Sequence, residues 1–268
     1  MMIIDAHIHC SGEENAADVL QALDWAGVDK AIVLAPFLSG SYSLHDRESL
    51  RSANQYLARL IAHDKDRLIG FAVINPSLDN ASEDLTHAHD LGLSGLKMVP
   101  AGWYPYDDCA HRLYDTASHL GMPILFHSGI FIDGKSGRFC RPTFFEAIRE
   151  HPGLRVTLAH LGWPWTDEAN AVGLIDLING VPSDNSQFRF DISFGAPPAY
   201  RLDVLRKAIA VLTPELLQFG SDVFLPCPGE LIKSRIDDVL ALLERLDIDT
   251  RSRERIMGGT AAAWLGIN

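Results

Sequence analysis

Near the start of the chain, the run Asp5-Ala6-His7-Ile8-His9 carries two imidazoles two residues apart among apolar neighbours. Side chains alternate across a β-strand, so a strand here turns His7 and His9 to one face and sends Ile4, Ala6 and Ile8 toward surrounding helices. Two imidazoles on one face can converge on one metal ion. The spacing alone reads equally well as structural, and the chain holds its own comparison: His87 and His89 have the same separation. They lie in Ser82 to Leu91, which reads as a helix, where positions two apart do not share a face, so that pair is expected at the solvated surface.

Three further polar residues end apolar runs: His127 in Pro-Ile-Leu-Phe-His-Ser-Gly, His160 in Val-Thr-Leu-Ala-His-Leu-Gly, and Asp222 in Gln-Phe-Gly-Ser-Asp. Any one of them reads as a hydrogen-bonded structural residue. Together, at the ends of separate strands, they suit a divalent ion of borderline softness such as Zn²⁺, with Mn²⁺, Fe²⁺ or Co²⁺ also compatible.

Those residues need a frame that brings strand ends together. Strand candidates are Ile3 to His9, Lys30 to Ala35, Leu68 to Ile74, Gly95 to Val99, Ile124 to His127, Arg155 to His160, Phe188 to Ser193 and Gln218 to Asp222. Each is followed by a periodic helical stretch, which implies parallel strands. An open doubly wound sheet accommodates that order, but eight repeats with polar residues at the strand ends favour an α/β architecture of the (β/α)₈ TIM-barrel type. Connections entering strands are short, as in Trp25-Ala26-Gly27-Val28-Asp29 and His151-Pro152-Gly153, whereas those leaving strands are long and aromatic, as in Pro100 to Tyr106, Ser128 to Arg141 and Leu161 to Trp165. A barrel builds its site from the latter. A length of 268 residues, 47% of them hydrophobic, suits one such domain over residues 1–268, since a barrel takes about 250 residues.

A formal charge of −12 argues against nucleic acid or an anionic membrane as partner, though a local cationic pocket remains compatible. No apolar run reaches the roughly 18 residues of a membrane span, and the N-terminus lacks the layout of a secretory signal, so a cytoplasmic protein is expected. Cys10, Cys109, Cys140 and Cys227 form no CxxC pair and are expected to be reduced thiols.

At the level of motifs the chain resembles the amidohydrolase superfamily, and within it the amidohydrolase-2 group, which includes decarboxylases similar to aminocarboxymuconate semialdehyde decarboxylase. The resemblance spans essentially the whole chain. It rests on His7 and His9, Gly95-Leu96-Lys97 with Pro100, Pro123 through Gly129, Ala159-His160-Leu161-Gly162, Gly220-Ser221-Asp222, and Met257-Gly258-Gly259-Thr260-Ala261-Ala262. It implies one catalytic divalent ion bound by His7, His9, His127 and Asp222, with His160 near the reacting atoms. Thr260 departs from the group, which often has Asn there, and is expected to affect a helix cap. An N-terminal β-sandwich is not expected before a histidine pair so close to Met1.

The chemistry implied is a metal-activated water, with Asp222 ligating and handling protons and His160 as acid/base or electrophilic partner, or else a fifth ligand or structural histidine. In two-metal relatives the lysine equivalent to Lys97 is carboxylated; an unmodified Lys97, facing an anionic substrate or pairing with a barrel carboxylate, is the expectation here. Arg138 and Arg141 are candidates for a substrate carboxylate. Tyr42, His45, Trp103, Tyr104, Trp163 and Trp165 are candidates for an aromatic pocket, with core packing or a subunit interface as the other reading, while Cys10 is expected to face away. Hydrolysis of a small, carboxylate-bearing molecule is the leading reading. The alternatives are non-oxidative decarboxylation of an unsaturated or aromatic acid and a non-catalytic barrel binding metal or metabolite. A homodimer is expected only because it is the commonest assembly.

Overall fold

Alternating apolar runs and amphipathic segments fold as repeated strand–helix units in the computed structural model, which describes residues 1–38, 40–193 and 195–267. The units are β1 (Ile4–His9), α1 (Ala16–Ala26), β2 (Lys30–Leu34), α2 (Arg47–Ile61), β3 (Leu68–Val73), α3 (Ala81–Asp90), β4 (Gly95–Met98), α4 (Asp108–His119) and β5 (Ile124–Phe126). They continue with β6 (Val156–Leu158), α5 (Thr166–Ile178), β7 (Phe188–Asp191), α6 (Pro198–Val211), β8 (Leu217–Gln218), β9 (Val223–Phe224), α7 (Gly229–Arg245), α8 (Thr250–Glu254) and α9 (Thr260–Leu265). After β5 the connecting helix is of the tighter 3₁₀ kind, over Pro142–Glu150. His87 and His89 fall in α3, as expected of a helical pair.

All strand pairs are parallel, in the order β8-β7-β6-β5-β4-β3-β2-β1-β9. β8 and β9 are consecutive in the chain and act as one eighth strand in two pieces. Between and beyond them the backbone stays tied to β1, through Ala6 N–H to Phe219 O at 3.0 Å, Asp222 N–H to His7 O at 2.8 Å and Leu225 N–H to His9 O at 2.8 Å. The sheet therefore closes into a (β/α)₈ barrel. The strand expected to run unbroken from Gln218 to Asp222 is interrupted because Asp222 takes a left-handed conformation, φ 56°.

Strict alternation on β1 also gives way. The pairing register with β2 shifts between Asp5 and Ile8. Ile8 joins the outer core under the helices, but Ile4 and Ala6 pack with Ile32, Leu34, Phe71 and Leu125, in a second cluster. Leu125 is the register partner of Lys97, so this cluster lies inside the barrel. An irregularity of one residue lets Ala6 and His7 both face inward. Trp264 of α9, buried and 5.7 Å from the Phe71 ring, seals the barrel floor. Thr260 is not a cap: it is fully buried and its hydroxyl donates to the Pro214 carbonyl at 2.9 Å, which ties α9 to the approach of β8.

The loop after β4 corrects a second expectation. Trp103 is 2% exposed and belongs to the main core rather than to a ligand cleft, because an indole has more to gain from packing than from a place at the rim. Its indole N–H has no partner. Trp103→Ala is therefore expected to cost about 3–5 kcal/mol in chemical denaturation, with Trp103→Phe far milder because it removes no hydrogen bond. Equal losses for the two variants would refute a packing role.

Among the described residues no helix is long and apolar enough to cross a membrane. The four cysteines are free thiols, and Cys10 packs in the outer core.

Candidate active site

At the C-terminal end of the barrel, β1 brings the Nε2 atoms of His7 and His9 within 3.1 Å of each other. Asp222, from the break between β8 and β9, places Oδ1 3.1 Å from His9 Nε2 and 3.4 Å from His7 Nε2. Gly220 makes this approach possible, since a Cβ there would sit 2.7 Å from the His7 Cβ. The other ring nitrogen of His7 donates to Asp191 Oδ2 at 2.6 Å, where both groups are fully buried. With its proton held at Nδ1, His7 presents a lone pair at Nε2. Two imidazole nitrogens and a carboxylate oxygen thus converge with too few protons among them to bridge every contact, which is the donor set a borderline divalent cation takes.

Electrostatics agree with that reading. Burial keeps His7 well below the ordinary imidazole range, with the Lys97 charge acting the same way, and burial also lowers His9. Burial opposes ionisation of Asp222, yet the facing rings of His7, His160 and His9 hold its carboxyl well below the usual carboxylate range. Lys97 of β4 is buried with Nζ 3.2 Å from His7 Nε2, and burial lowers its pKa to about 8.

His160 follows β6 in a left-handed turn, φ 59°, and Leu161 beside it has φ 48°. Strained conformations of this kind persist where surrounding structure enforces them. Here Ser193 does so: its hydroxyl lies 2.8 Å from His160 Nδ1. Burial brings the His160 pKa down to about 4, and Nδ1 stands 4.0 Å from Asp222 Oδ2.

His127 stands just past β5 with its ring 5.1 Å from that of His160 and Nε2 2.9 Å from the Ile130 carbonyl. The donor atoms lying within 4.8 Å of one another form two groups among the described residues, His7 with His9 and Asp222, and His7 with His160 and Asp191. His127 is in neither, although it lines the same cleft. Gly129, φ 96°, lets the loops after β5 and β6 touch, since a Cβ there would lie 2.1 Å from the Trp163 carbonyl.

His9, Lys97, His127, His160, Trp163 and Asp222 all border one open cleft. Its upper walls are apolar, built by Phe37, Leu38, Ile130, Phe131, Ile132 and Phe224. Phe224 stacks on His9 at 4.5 Å between ring centroids. Arg138 and Arg141 do not reach the cleft: Arg138 lies over the Phe139 ring, and Arg141 pairs with Glu168 and covers Trp165. Loop arginines with an acid or ring beside them gain more locally than from reaching over an apolar wall. Tyr104 stacks on Tyr106 instead, Tyr42 packs against Gly12, and His45 is exposed.

Sequence reasoning passed over Asp191 and Ser193. Asp191 ends the run Phe188–Asp191 as an acid after apolar residues, the same signal that marked His127 and Asp222. If Asp191 holds the His7 tautomer, Asp191→Asn weakens divalent-metal affinity by about 10–100-fold. Competition against a chromogenic chelator reads this directly, and unchanged affinity would leave Asp191 a purely structural carboxylate.

A family profile described as Amidohydrolase matches residues 4–267. No curated protein matches the chain. Among solved structures, 2,6-dihydroxybenzoate decarboxylase from Rhizobium is similar at TM-score 0.71 and 17% identity, covering 99% of each chain. A probable 2-pyrone-4,6-dicarboxylic acid hydrolase from Acinetobacter baumannii, with citric acid bound, has TM-score 0.66 and 15% identity over 100% of both chains. A 5-carboxyvanillate decarboxylase from Novosphingobium aromaticivorans, complexed with manganese and 4-hydroxy-3-methoxy-5-nitrobenzoic acid, has TM-score 0.69 and 14% identity, over 99% of this chain and 96% of that one.

Proposed function

Because the chain belongs to the Amidohydrolase family, whose members are metal-dependent enzymes, we propose that it hydrolyses a small, carboxylate-bearing molecule by means of one divalent ion, Zn²⁺ in the first instance. The observation that carries this reading is the convergence of His7 Nε2, His9 Nε2 and Asp222 Oδ1 at the floor of the cleft. His7, His9 and Asp222 hold the ion, with His127 as fourth ligand. When bound, the ion supplies a water acidic enough to act as a nucleophile near neutral pH.

The chain's own groups do the rest. Asp222, whose carboxyl is held ionised, would both help hold the ion and offer a carboxylate oxygen to take up a proton beside it. His160, neutral and fixed through Nδ1 by Ser193, has Nε2 left to exchange a proton with the leaving group. Lys97, the sole lysine or arginine bordering the cleft among the described residues, receives the substrate's carboxylate. The apolar walls exclude water and orient the remainder. A second reading, decarboxylation of an aromatic acid, is supported by those apolar, partly aromatic walls and by the aromatic acids named for two of the similar structures. We take it to act as one domain in the cytoplasm, a setting its free thiols support, with a homodimer as the commonest assembly for such a chain.

Elemental analysis is expected to find one ion per chain. The loaded protein is then screened on esters, lactones and amides bearing a carboxylate, and on aromatic acids with detection of CO₂. CO₂ release without hydrolysis would move the assignment to the second reading, and failure to retain any of several divalent metals would overturn both.

A further inference from the structure

The two backbone irregularities that aim the donor atoms, the register shift of β1 and the break in strand eight, meet at one side chain. That side chain is Asp5, which is fully buried and is not one of the converging donors. On one side of it, the pairing of β1 with β2 shifts between Asp5 and Ile8, and within that stretch the His7 N–H donates to Asp5 Oδ1 at 3.1 Å. On the other side, β1 and strand eight begin in parallel register, with the Ala6 N–H on Phe219 O at 3.0 Å. An evenly spaced ladder next requires the Ser221 N–H on the Ala6 carbonyl. Instead that N–H also ends on Asp5 Oδ1, at 2.9 Å. The ladder then resumes one residue later on both strands, with the Asp222 N–H on His7 O at 2.8 Å. Asp5 Oδ1 thus takes up two amides released where the ladders are interrupted. His7 carries one of them, and Asp222 directly follows the other.

A buried N–H without an acceptor is costly, so a skip of this kind persists only where something replaces the missing carbonyl. A slide back into even register would move the strands by one residue, and a one-residue slip turns a side chain to the opposite face. We propose that Asp5 is a positioning residue for the metal site: its carboxylate holds β1 and strand eight in the skipped register that brings His7 Nε2 and Asp222 Oδ1 within 3.4 Å of each other. The proposal rests on the reading of His7, His9 and Asp222 as ligands and adds to it a group that does not border the cleft. Asp191 acts on a single imidazole ring through Nδ1. Asp5 acts on two backbone segments, and so on donors from both strands at once.

The test uses Co²⁺-loaded protein, whose visible absorption reports ligand geometry, with chelator competition for affinity and circular dichroism to verify folding. Asp5→Asn keeps an acceptor oxygen for both amides and is expected to retain the parent's spectrum and affinity. Asp5→Leu has a similar volume without the acceptor, and is expected to change the spectrum and to weaken Co²⁺ about 10–100-fold, as loss of a group behind a ligand does. A folded Leu variant with the parent's spectrum and affinity overturns the proposal and leaves Asp5 with a role in stability alone. So does an Asn variant as impaired as the Leu one, because charge rather than the clamp would then matter. Should Asp5→Leu not fold, hydrogen exchange on the unsubstituted, Zn²⁺-loaded protein decides. The His7 and Ser221 amides are expected to be protected as strongly as the ladder amides of Ala6 and Asp222, and fast exchange of either overturns the proposal. Failure of the unsubstituted protein to bind Co²⁺ overturns the ligand reading and this proposal with it, whereas the other outcomes leave that reading standing.

Discussion

Replacing His160 by Asn is expected to leave the metal content of the protein unchanged and to lower turnover by about 10² to 10⁴. The backbone tolerates the change, since His160 sits at φ 59° and Asn is the residue after glycine that most readily enters the left-handed region. The carboxamide can keep a hydrogen bond to Ser193, whose hydroxyl now lies 2.8 Å from Nδ1. What it cannot do is exchange a proton near neutral pH. Metal content and turnover are measured on the same preparation. Loss of the ion together with turnover would make His160 a ligand, and full activity would make it structural.

Replacing His9 by Ala has a different kind of effect. His9 contributes one of the three converging donors and is flanked by Phe37 and Phe224, at 5.4 Å and 4.5 Å between ring centroids. Its backbone carbonyl still accepts from Leu225 at 2.8 Å, so barrel closure does not depend on the imidazole. Substitutions one layer out from a metal ligand cost about 10–100-fold in affinity, and removal of a ligand itself is expected to cost more than about 100-fold. Chelator competition, with circular dichroism to verify folding, measures this. A folded variant that holds its ion as tightly as the parent would remove His9 from the ligand set. The same assay on His127→Ala tests the fourth ligand independently, since His127 now spends Nε2 on the Ile130 carbonyl at 2.9 Å.

Much of the fold was legible because it is local. Eight apolar runs separated by helix-period segments are a property of neighbours in the chain, and all eight appear within a residue or two of their expected bounds, the last in two pieces. Polar residues at strand ends were legible for the same reason, since an acid or imidazole that ends an apolar run stands out without any knowledge of its partners. Less legible was Asp191, whose partner His7 is 184 positions away and which reads, alone, as an ordinary strand-end acid.

The sequence by itself determined the repeating strand–helix order, the family, and the few residues able to hold a metal, because periodicity and residue type act within a turn or a strand. Only the tertiary structure decided which long side chains reach the site. Trp103 went to the core and Arg141 to Glu168, while Lys97 was drawn to the cleft floor. It also decided that β1 departs from alternation and that strand eight breaks at a left-handed Asp222. Those outcomes follow from closing the barrel, which sets distances between residues far apart in the chain, and no local pattern encodes such distances.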